Sequence, residues 1–204
     1  IFQLADPNFN TWWSTFQRDP DRVNYGVALT KYNFRGRNET VQARVQFGYA
    51  RQFALRYKVP NIDRRQRWGL SIGGGYIEQA EVTAGTVGNK RILIRDTERP
   101  NRTQRKADAE LSLRRAHDIR HYFRIGFTHA DVGDSVTATA IDYFNGAATA
   151  TRFLQAGYGI TWDRRDLRFF PREGHLAELR VDRFGLGVAE EHAPDITTAF
   201  ASIK

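Results

Sequence analysis

The 204-residue sequence predicts an all-β fold, an antiparallel transmembrane β-barrel, and three observations carry that prediction. Segment after segment alternates apolar and polar residues with a period of two, which indicates strands with one apolar face. Aromatic residues and glycine are frequent, with 14 Phe, 8 Tyr and 17 Gly, and this composition favours strands over helices. No apolar run approaches the ~18 residues of a membrane-spanning helix, so helical membrane proteins are excluded.

The alternation defines the predicted strands one after another along the chain. In residues 39–49, for example, Val45 and Phe47 stand at apolar odd positions while Arg44 and Gln46 stand at polar even ones. Helical spacing explains these segments less well, because a helical face repeats every three or four residues. The alternating segments cover residues 39–49, 52–59, 68–76, 107–114, 121–128, 153–162 and 176–184.

Alternation alone fits two architectures, and further features favour the membrane barrel. In a soluble sandwich the apolar faces form the core, whereas in an outer-membrane barrel they meet lipid and the polar faces line a wet lumen. The predicted strands reach ~9–11 residues, as a tilted membrane crossing requires, whereas soluble strands usually have ~5–6. Aromatic residues such as Trp68 and Trp162 stand at strand ends, as in interfacial girdles. Short connections alternate with long polar ones at 79–105 and 131–151.

The chain is basic, with 31 Lys and Arg against 23 Asp and Glu and a formal charge of +8. The arginines are spread along the sequence, and the densest block, residues 89–106, has interleaved acids and no recognition motif, so we predict no nucleic-acid partner. A soluble basic β-domain that binds nucleic acid or acidic glycans is the alternative to a barrel. In a barrel this block lies outside the cell, where Arg95, Arg99 and Arg102 are candidates for binding lipopolysaccharide phosphates.

The residues that carry enzyme or metal chemistry are missing or badly spaced. The chain has no cysteine, which excludes a disulfide scaffold, a thiolate metal site and a cysteine nucleophile. His117 and His121 straddle a turn, and Gly73-Gly-Gly75 lacks the Lys-Ser/Thr of a phosphate loop. We therefore predict no enzyme, no cofactor and no metal site. The chain also lacks methionine, even at position 1, so we expect further protein before Ile1.

Two segments at predicted strand ends contain the residues of well-defined turns. The first is Tyr32-Asn-Phe-Arg-Gly-Arg-Asn-Glu39, in which Gly36 supplies the positive φ that a tight turn needs. It is followed by a strand from Thr40 and then by Leu55-Arg-Tyr-Lys-Val-Pro-Asn-Ile62.

The second segment is Tyr158-Gly-Ile-Thr-Trp-Asp-Arg-Arg-Asp166, followed by Phe169-Phe-Pro-Arg-Glu-Gly174. Asp163 and Asp166 can accept hydrogen bonds from turn amides or pair with neighbouring arginines, and Pro171 stands where no ladder partner is needed. These residues either cap periplasmic turns or form a docking point for a periplasmic partner. The candidate turn residues of both segments are Arg35, Gly36, Arg37, Asp163, Arg165, Asp166, Phe170, Pro171 and Gly174.

Together with the opening Asp6-Pro-Asn-Phe-Asn-Thr-Trp-Trp13, these segments resemble the barrel of the BamA/TamA family, the bacterial surface antigen family of outer-membrane assembly factors. The resemblance covers nearly the whole chain, with its motifs in the right order. It implies that residues 1–204 are the N-terminal portion of a β-barrel domain, about ten strands of about sixteen, in the outer membrane of a Gram-negative bacterium. It also implies that POTRA domains and C-terminal strands lie outside this chain. With the resemblance, the predicted strands cover residues 11–16, 22–33, 39–49, 52–58, 68–81, 104–115, 120–130, 151–162 and 176–186, and a last one begins near Thr197.

The function that the resemblance implies is the folding and insertion of other outer-membrane proteins. In such assembly factors an unfolded client adds a strand at a seam between the first and last strands, which needs no nucleotide or metal. The implied partners are outer-membrane lipids, these clients, and periplasmic or lipoprotein accessory subunits. The alternative is an outer-membrane pore or secretion translocator whose arginine-rich lumen prefers anions. The seam-strand candidates are Trp12 and Trp13, and the candidate lumen-facing charges are Arg44, Arg56, Arg114, Arg124 and Arg180.

Overall fold

The computed structural model describes residues 1–6, 8–96, 99–140, 143–144, 148–167, 169–188 and 191–204. Thr97 and Glu98 of the predicted basic block, and Arg168 of the second turn segment, lie outside these described residues. The strands are β1 Phe2–Leu4, β2 Val23–Tyr32, β3 Thr40–Gly48, β4 Ala50–Val59, β5 Trp68–Gln79, β6 Glu81–Val87, β7 Lys90–Arg95, β8 Arg102–Arg114, β9 Ile119–Val132, β10 Ala150–Asp163, β11 Leu176–Phe184 and β12 Ile196–Ile203. One α-helix, α1 Asp134–Thr139, is present in the described residues.

Ten of the strands form a single antiparallel sheet whose order follows the chain, with the hairpin β6–β7 inserted between β5 and β8. The long ladders are continuous, and β9 pairs with β10 over thirteen residues, from Trp162 opposite Ile119 to Ala150 opposite Asp131. Among the described residues β1 and β12 do not pair with each other, so the sheet is not closed. The predicted all-β antiparallel class is confirmed, and the topology is that of an up-and-down barrel wall.

The prediction is wrong at residues 11–16, where the structure has a helical turn, Thr11–Thr15, instead of a strand. The side-chain carbonyl of Asn8 accepts hydrogen bonds from the Thr11 amide at 2.8 Å and from its hydroxyl at 2.9 Å. Phe9, Trp12 and Trp13 also stack on one another. These local contacts offer the backbone an alternative to a sheet ladder. Trp12 and Trp13 are therefore not on a seam strand, and the first strand of the sheet is β1, which precedes them.

The connections divide the sheet into two different ends. The turn end carries the connections 33–39, 60–67, 115–118 and 164–175, and the loop end carries Tyr49 between β3 and β4 and the connections 5–22, 80–101, 133–149 and 185–195. The loop end contains β6, β7 and α1, which the alternation does not predict. Val82, Val132 and Val136 form a small buried cluster there, against which Ile94, Tyr143 and Phe144 pack. Among the described residues, none of the helices is long and apolar enough to cross a membrane.

The sheet has one apolar and one polar face, and their exposure is inverted relative to a soluble protein. Large side chains of the apolar face, including Leu29, Leu55 and Ile125, are exposed. Buried side chains of the sheet instead include Gln46 and Thr128 on the polar face. A soluble sandwich buries its apolar face as the core, so the structure favours the membrane barrel over that alternative. The apolar face is an outer surface that suits contact with hydrocarbon.

Replacing Ile125 by arginine tests this assignment of the apolar face. Ile125 lies mid-strand in β9 and is 55% exposed, so Ile125→Arg places a charge against the bilayer interior. We expect a loss of about 2–4 kcal/mol in the free energy of unfolding, measured by denaturant titration of the full-length protein in lipid vesicles. Thr30→Arg, on the exposed polar face of β2, is the control and is expected to change stability little. Equal losses from both variants contradict the assignment.

Candidate functional site

A network of ion pairs lies on the polar face and crosses the sheet. Arg56 of β4 donates two hydrogen bonds of 2.8 Å to the carboxylate of Asp108 in β8. Arg124 of β9 lies 3.4 Å from Glu110 in β8 and 3.6 Å from Asp182 in β11, and Arg180 Nε donates to Asp182 at 2.6 Å. The network, defined as these six residues, therefore joins strands that are not direct neighbours.

Glycines in the intervening strands make these bridges possible. Gly73 of β5 stands in register between Arg56 and Asp108, and a Cβ there would lie 2.8 Å from Arg56 Nη2. Gly157 of β10 stands between Arg124 and Asp182 in the same way, and a Cβ there would collide with the Asp182 carboxylate. The flanking side chains thus occupy the space above each glycine, which explains why glycine stands at these two positions.

The predicted lumen-facing charges all stand at register positions of this polar face. Arg56, Arg124 and Arg180 belong to the network. Arg44 and Arg114 share the face but make no ion pair within the part of the chain that the structure describes. The sequence therefore identified the face, whereas the pairing partners follow only from the register.

A second ionic cluster, which the sequence does not indicate, lies at the loop end. Arg22 Nη2 is 2.8 Å from Asp6 Oδ1 and Arg22 Nη1 is 2.7 Å from Glu81 Oε2, and all three side chains are 5% exposed or less. The Tyr49 hydroxyl donates to Glu81 at 2.9 Å, and the Arg22 guanidinium stacks 3.6 Å above the Phe16 ring. We call Asp6, Arg22, Tyr49 and Glu81 the Arg22 cluster. It joins the segment after β1 to the starts of β2 and β6.

Burial and pairing shift the titration of the Arg22 cluster. Burial opposes the charge on Arg22, but hydrogen bonds to Asp6 and Glu81 outweigh it and raise the pKa of Arg22 above its ordinary value. Burial, assisted by the hydrogen bond to Glu81, raises the pKa of Tyr49 to about 12. Arg22 therefore stays charged and Tyr49 stays a hydrogen-bond donor across the physiological pH range.

The three arginines predicted to bind lipopolysaccharide have different surroundings. Arg95 in β7 donates to Asp19 at 2.8 Å and to Asp21 at 3.3 Å, and its hydrogen bond lowers the pKa of Asp19. Arg102 begins β8 and reaches Gln79 at 3.4 Å. Arg99 lines a small cleft beside Glu78 and Arg51. Arg95 thus holds the 8–22 segment against the β6–β7 hairpin.

At the turn end, the second predicted segment forms a tightly hydrogen-bonded hairpin tip. The carboxylate of Asp166 accepts backbone N–H groups from Leu167, Arg172 and Glu173 at 2.7, 3.0 and 3.3 Å. These amides, that of Leu167 above all, hold the pKa of Asp166 below its usual value. Gly174 has φ of +95°, where an L side chain is strained.

The rest of this segment ties the tip to its surroundings. Asp163 accepts two hydrogen bonds from Arg165, at 2.8 and 2.9 Å. Asp118 of the neighbouring turn accepts from Arg164 at 3.0 Å and from Trp162 at 2.9 Å, and these bonds lower the pKa of Asp118. Phe170 is left 83% exposed, and Phe169 beside it is 92% exposed, with Pro171 following.

The first predicted segment forms a compact turn between β2 and β3. Gly36 has φ of +79°, as the tight turn requires, and the Asn33 side chain accepts the Asn38 amide at 2.8 Å. Arg35 donates to the buried Glu39 at 3.3 Å and to the Tyr57 hydroxyl at 2.8 Å. Arg37, by contrast, is exposed to solvent.

A sheet that is apolar outside and charged inside, built from long antiparallel strands in chain order, defines the class of outer-membrane β-barrel proteins. Residues 33–193 match the model of the Omp85 superfamily domain, and the chain belongs to that superfamily. This confirms the predicted family resemblance at the level of the superfamily.

A solved structure gives the same fold. The chain is similar to BamA from Haemophilus ducreyi lacking POTRA domains 1–3, with a TM-score of 0.53 and 15% sequence identity. The similarity covers 83% of this chain and 32% of that one, so the chain spans about a third of the length of the BamA structure. The predicted partial barrel is therefore confirmed as a fold. No curated protein matches the sequence.

Removing the charge of Arg22 tests the cohesion of the loop end. Arg22→Met leaves the buried carboxylates of Asp6 and Glu81 facing each other, and we expect a loss of about 3–5 kcal/mol in the free energy of unfolding. Denaturant titration of the full-length protein in vesicles measures the change. Adding Asp6→Asn and Glu81→Gln to Arg22→Met is expected to restore much of the stability. A triple variant no more stable than the single one contradicts the electrostatic cause.

The hairpin tip is expected to depend on the ionised Asp166. Asp166→Ala should lower the hydrogen-exchange protection of the Arg172 and Glu173 amides about tenfold, because one charge-assisted acceptor is lost. Folding lowers the pKa of Asp166. The hydrogen-exchange protection in the wild type is therefore complete above the usual Asp pKa of about 3.9, and it falls only when the pH drops through the lowered pKa of the folded state. Asp195→Ala, at the loop end, is the control. Unchanged protection in Asp166→Ala would refute this role.

Proposed function

We propose that this chain is the N-terminal portion of a barrel domain that folds client proteins and inserts them into the outer membrane through a lateral strand seam. Superfamily membership supports the outer-membrane setting of this proposal. POTRA domains and the remaining barrel strands lie in the rest of the protein. The clients are unfolded outer-membrane barrel proteins.

The observation that carries the proposal is the outer edge of β1. Among the described residues β1 pairs only with β2, through Phe2, Gln3 and Leu4. An unpaired backbone group in hydrocarbon costs several kcal/mol, so this edge must pair with another strand in the membrane. A strand of the same barrel closes the seam, and a client strand that replaces it gains the same hydrogen bonds. The seam strand is thus β1, in place of the predicted segment around Trp12 and Trp13.

The proposed function assigns a surrounding to each face and each end of the sheet. The polar face, with its ion-pair network, lines the lumen, and the apolar face contacts lipid. The loop end faces outward, where Arg99 stays a candidate for lipopolysaccharide phosphates while Arg95 is already held by Asp19 and Asp21. The turn end faces the periplasm, and its exposed Phe169 and Phe170 offer a contact for accessory subunits.

A passive or secretory pore is the second candidate function. Arg44 and Lys106 line a cavity of about 350 Å³ on the polar face, and neither makes an ion pair among the described residues. Unpaired basic groups in a lumen favour anions. Planar-bilayer conductance with anion selectivity, without any stimulation of client insertion, would establish the pore and overturn the assembly factor.

Site-specific crosslinking tests the seam. A photo-crosslinking residue at Gln3, on β1, is placed in the full-length protein in vesicles while an unfolded outer-membrane protein is added. We expect crosslinks to the client from Gln3 and far fewer from Ala109, which lies in β8 with strands on both sides. Equal yields from the two positions, or client folding at the rate of empty vesicles, would rule out assembly at β1.

A further inference from the structure

A polar cleft lies at the turn end, between the neighbouring turns 33–39 and 60–67. Its volume is about 600 Å³, and two arginines, Arg37 and Arg64, line it together with side-chain amides. The amide residues are Asn33, Asn38, Asn61 and Gln66. The cleft is therefore rich in hydrogen-bond donors and belongs to neither the ion-pair network nor the Arg22 cluster.

Both walls of the cleft are ordered by their own hydrogen bonds. On one side Asn33 accepts the Asn38 amide at 2.8 Å. On the other, Asp63 Oδ1 accepts the amides of Arg67 and Trp68, each at 2.8 Å, and the Trp68 bond above all lowers the pKa of Asp63. Asp63 is the one carboxylate among the described lining residues, and its charge is directed at its own turn.

The two arginines retain their hydrogen-bonding capacity. Arg37 and Arg64 are exposed, and neither side chain makes a hydrogen bond or ion pair with the described residues. Arg35, in the same turn as Arg37, is by contrast bound to Glu39 and Tyr57. Guanidinium groups present planar sets of N–H donors that match phosphate oxygens, and fixed turns lower the entropic cost of binding.

The position of the cleft relative to the membrane surface indicates which kind of molecule carries the phosphate. Trp68 begins β5 directly after the 60–67 turn, and tryptophan at a barrel strand end sits at the headgroup level. Arg64 precedes Trp68 by four residues, which at ~3.3 Å per residue keeps it within ~13 Å of that level. Arg64 therefore lies near the headgroup level, and this favours a membrane lipid over a soluble anion.

We propose that the cleft between the 33–39 and 60–67 turns is a binding site for the phosphate of an anionic glycerophospholipid, held by Arg37 and Arg64. A lipid bound there pins the turns of β2–β3 and β4–β5 together at the membrane surface. The site thereby stabilises the part of the sheet next to β1. The proposal concerns a lipid contact and does not depend on client insertion.

Lipid binding to the full-length protein in detergent micelles tests the site. Phosphatidylglycerol is titrated, and native mass spectrometry counts the lipids retained. Arg37→Gln/Arg64→Gln is expected to weaken the tightest binding about tenfold, because two charge-assisted contacts are lost. Arg65→Gln/Arg67→Gln is the matched control, since it removes equal charge from one of the same turns without touching residues that line the cleft.

The outcomes are decisive in either direction. Selective loss in the Arg37→Gln/Arg64→Gln variant, with the control unchanged and both variants folded by circular dichroism, supports the site. Equal loss in both variants overturns it, since diffuse surface charge then explains the binding. Equally tight binding of phosphatidylcholine overturns the preference for an anionic lipid. Displacement of phosphatidylglycerol by an equal concentration of inorganic phosphate overturns the lipid as the ligand.

Discussion

The antiparallel backbone ladder is the constraint on which the rest of this structure depends. In hydrocarbon a peptide group has no water to bond, so each strand of a membrane-spanning sheet must pair with both neighbours. The ladders of β8, β9 and β10 meet this demand over thirteen residue pairs each. Pairing in turn imposes the two-residue alternation, because successive side chains point to opposite faces. The apolar outer face and the charged inner face are both consequences of that geometry.

The ladder leaves little apolar core, and polar contacts take its place. The buried apolar cluster of the described residues contains only Val82, Val132 and Val136, and it lies at the loop end. Across the sheet, Arg56 bonds Asp108 over one intervening strand. Such bridges add cohesion between strands that the backbone ladder does not connect. They also leave the inner face filled with side chains that water can solvate.

Local chemistry explains which parts of the fold the sequence could predict. Seven strands of the sheet, β3, β4, β5 and β8 to β11, follow from period two, whereas β2 and β12 were predicted only through the family resemblance. The two turn segments follow from residues that act within a few positions, such as Gly36 and Asp166. The helical turn at Trp12 was missed because Asn8 and Phe9, just outside the predicted strand, hold it. Arg22 was missed because its partner Glu81 is 59 residues away and nothing in the local pattern marks the pair.

The two ends of the sheet are stabilised in different ways, and this difference bears on the seam. At the turn end, Asp63 and Asp166 bond amides of their own turns, so these two turns are held largely by local bonds, and Arg164 adds one link to Asp118 of the neighbouring turn. At the loop end, Arg22 joins three segments, and Asp6 of the cluster stands two residues after Leu4 of β1. The cluster therefore holds the end of β1 in register with β2 whatever lies along its outer edge. Under the proposed function, a seam strand that accepts different partners needs such a fixed reference, because a one-residue slip would turn its apolar side chains inward.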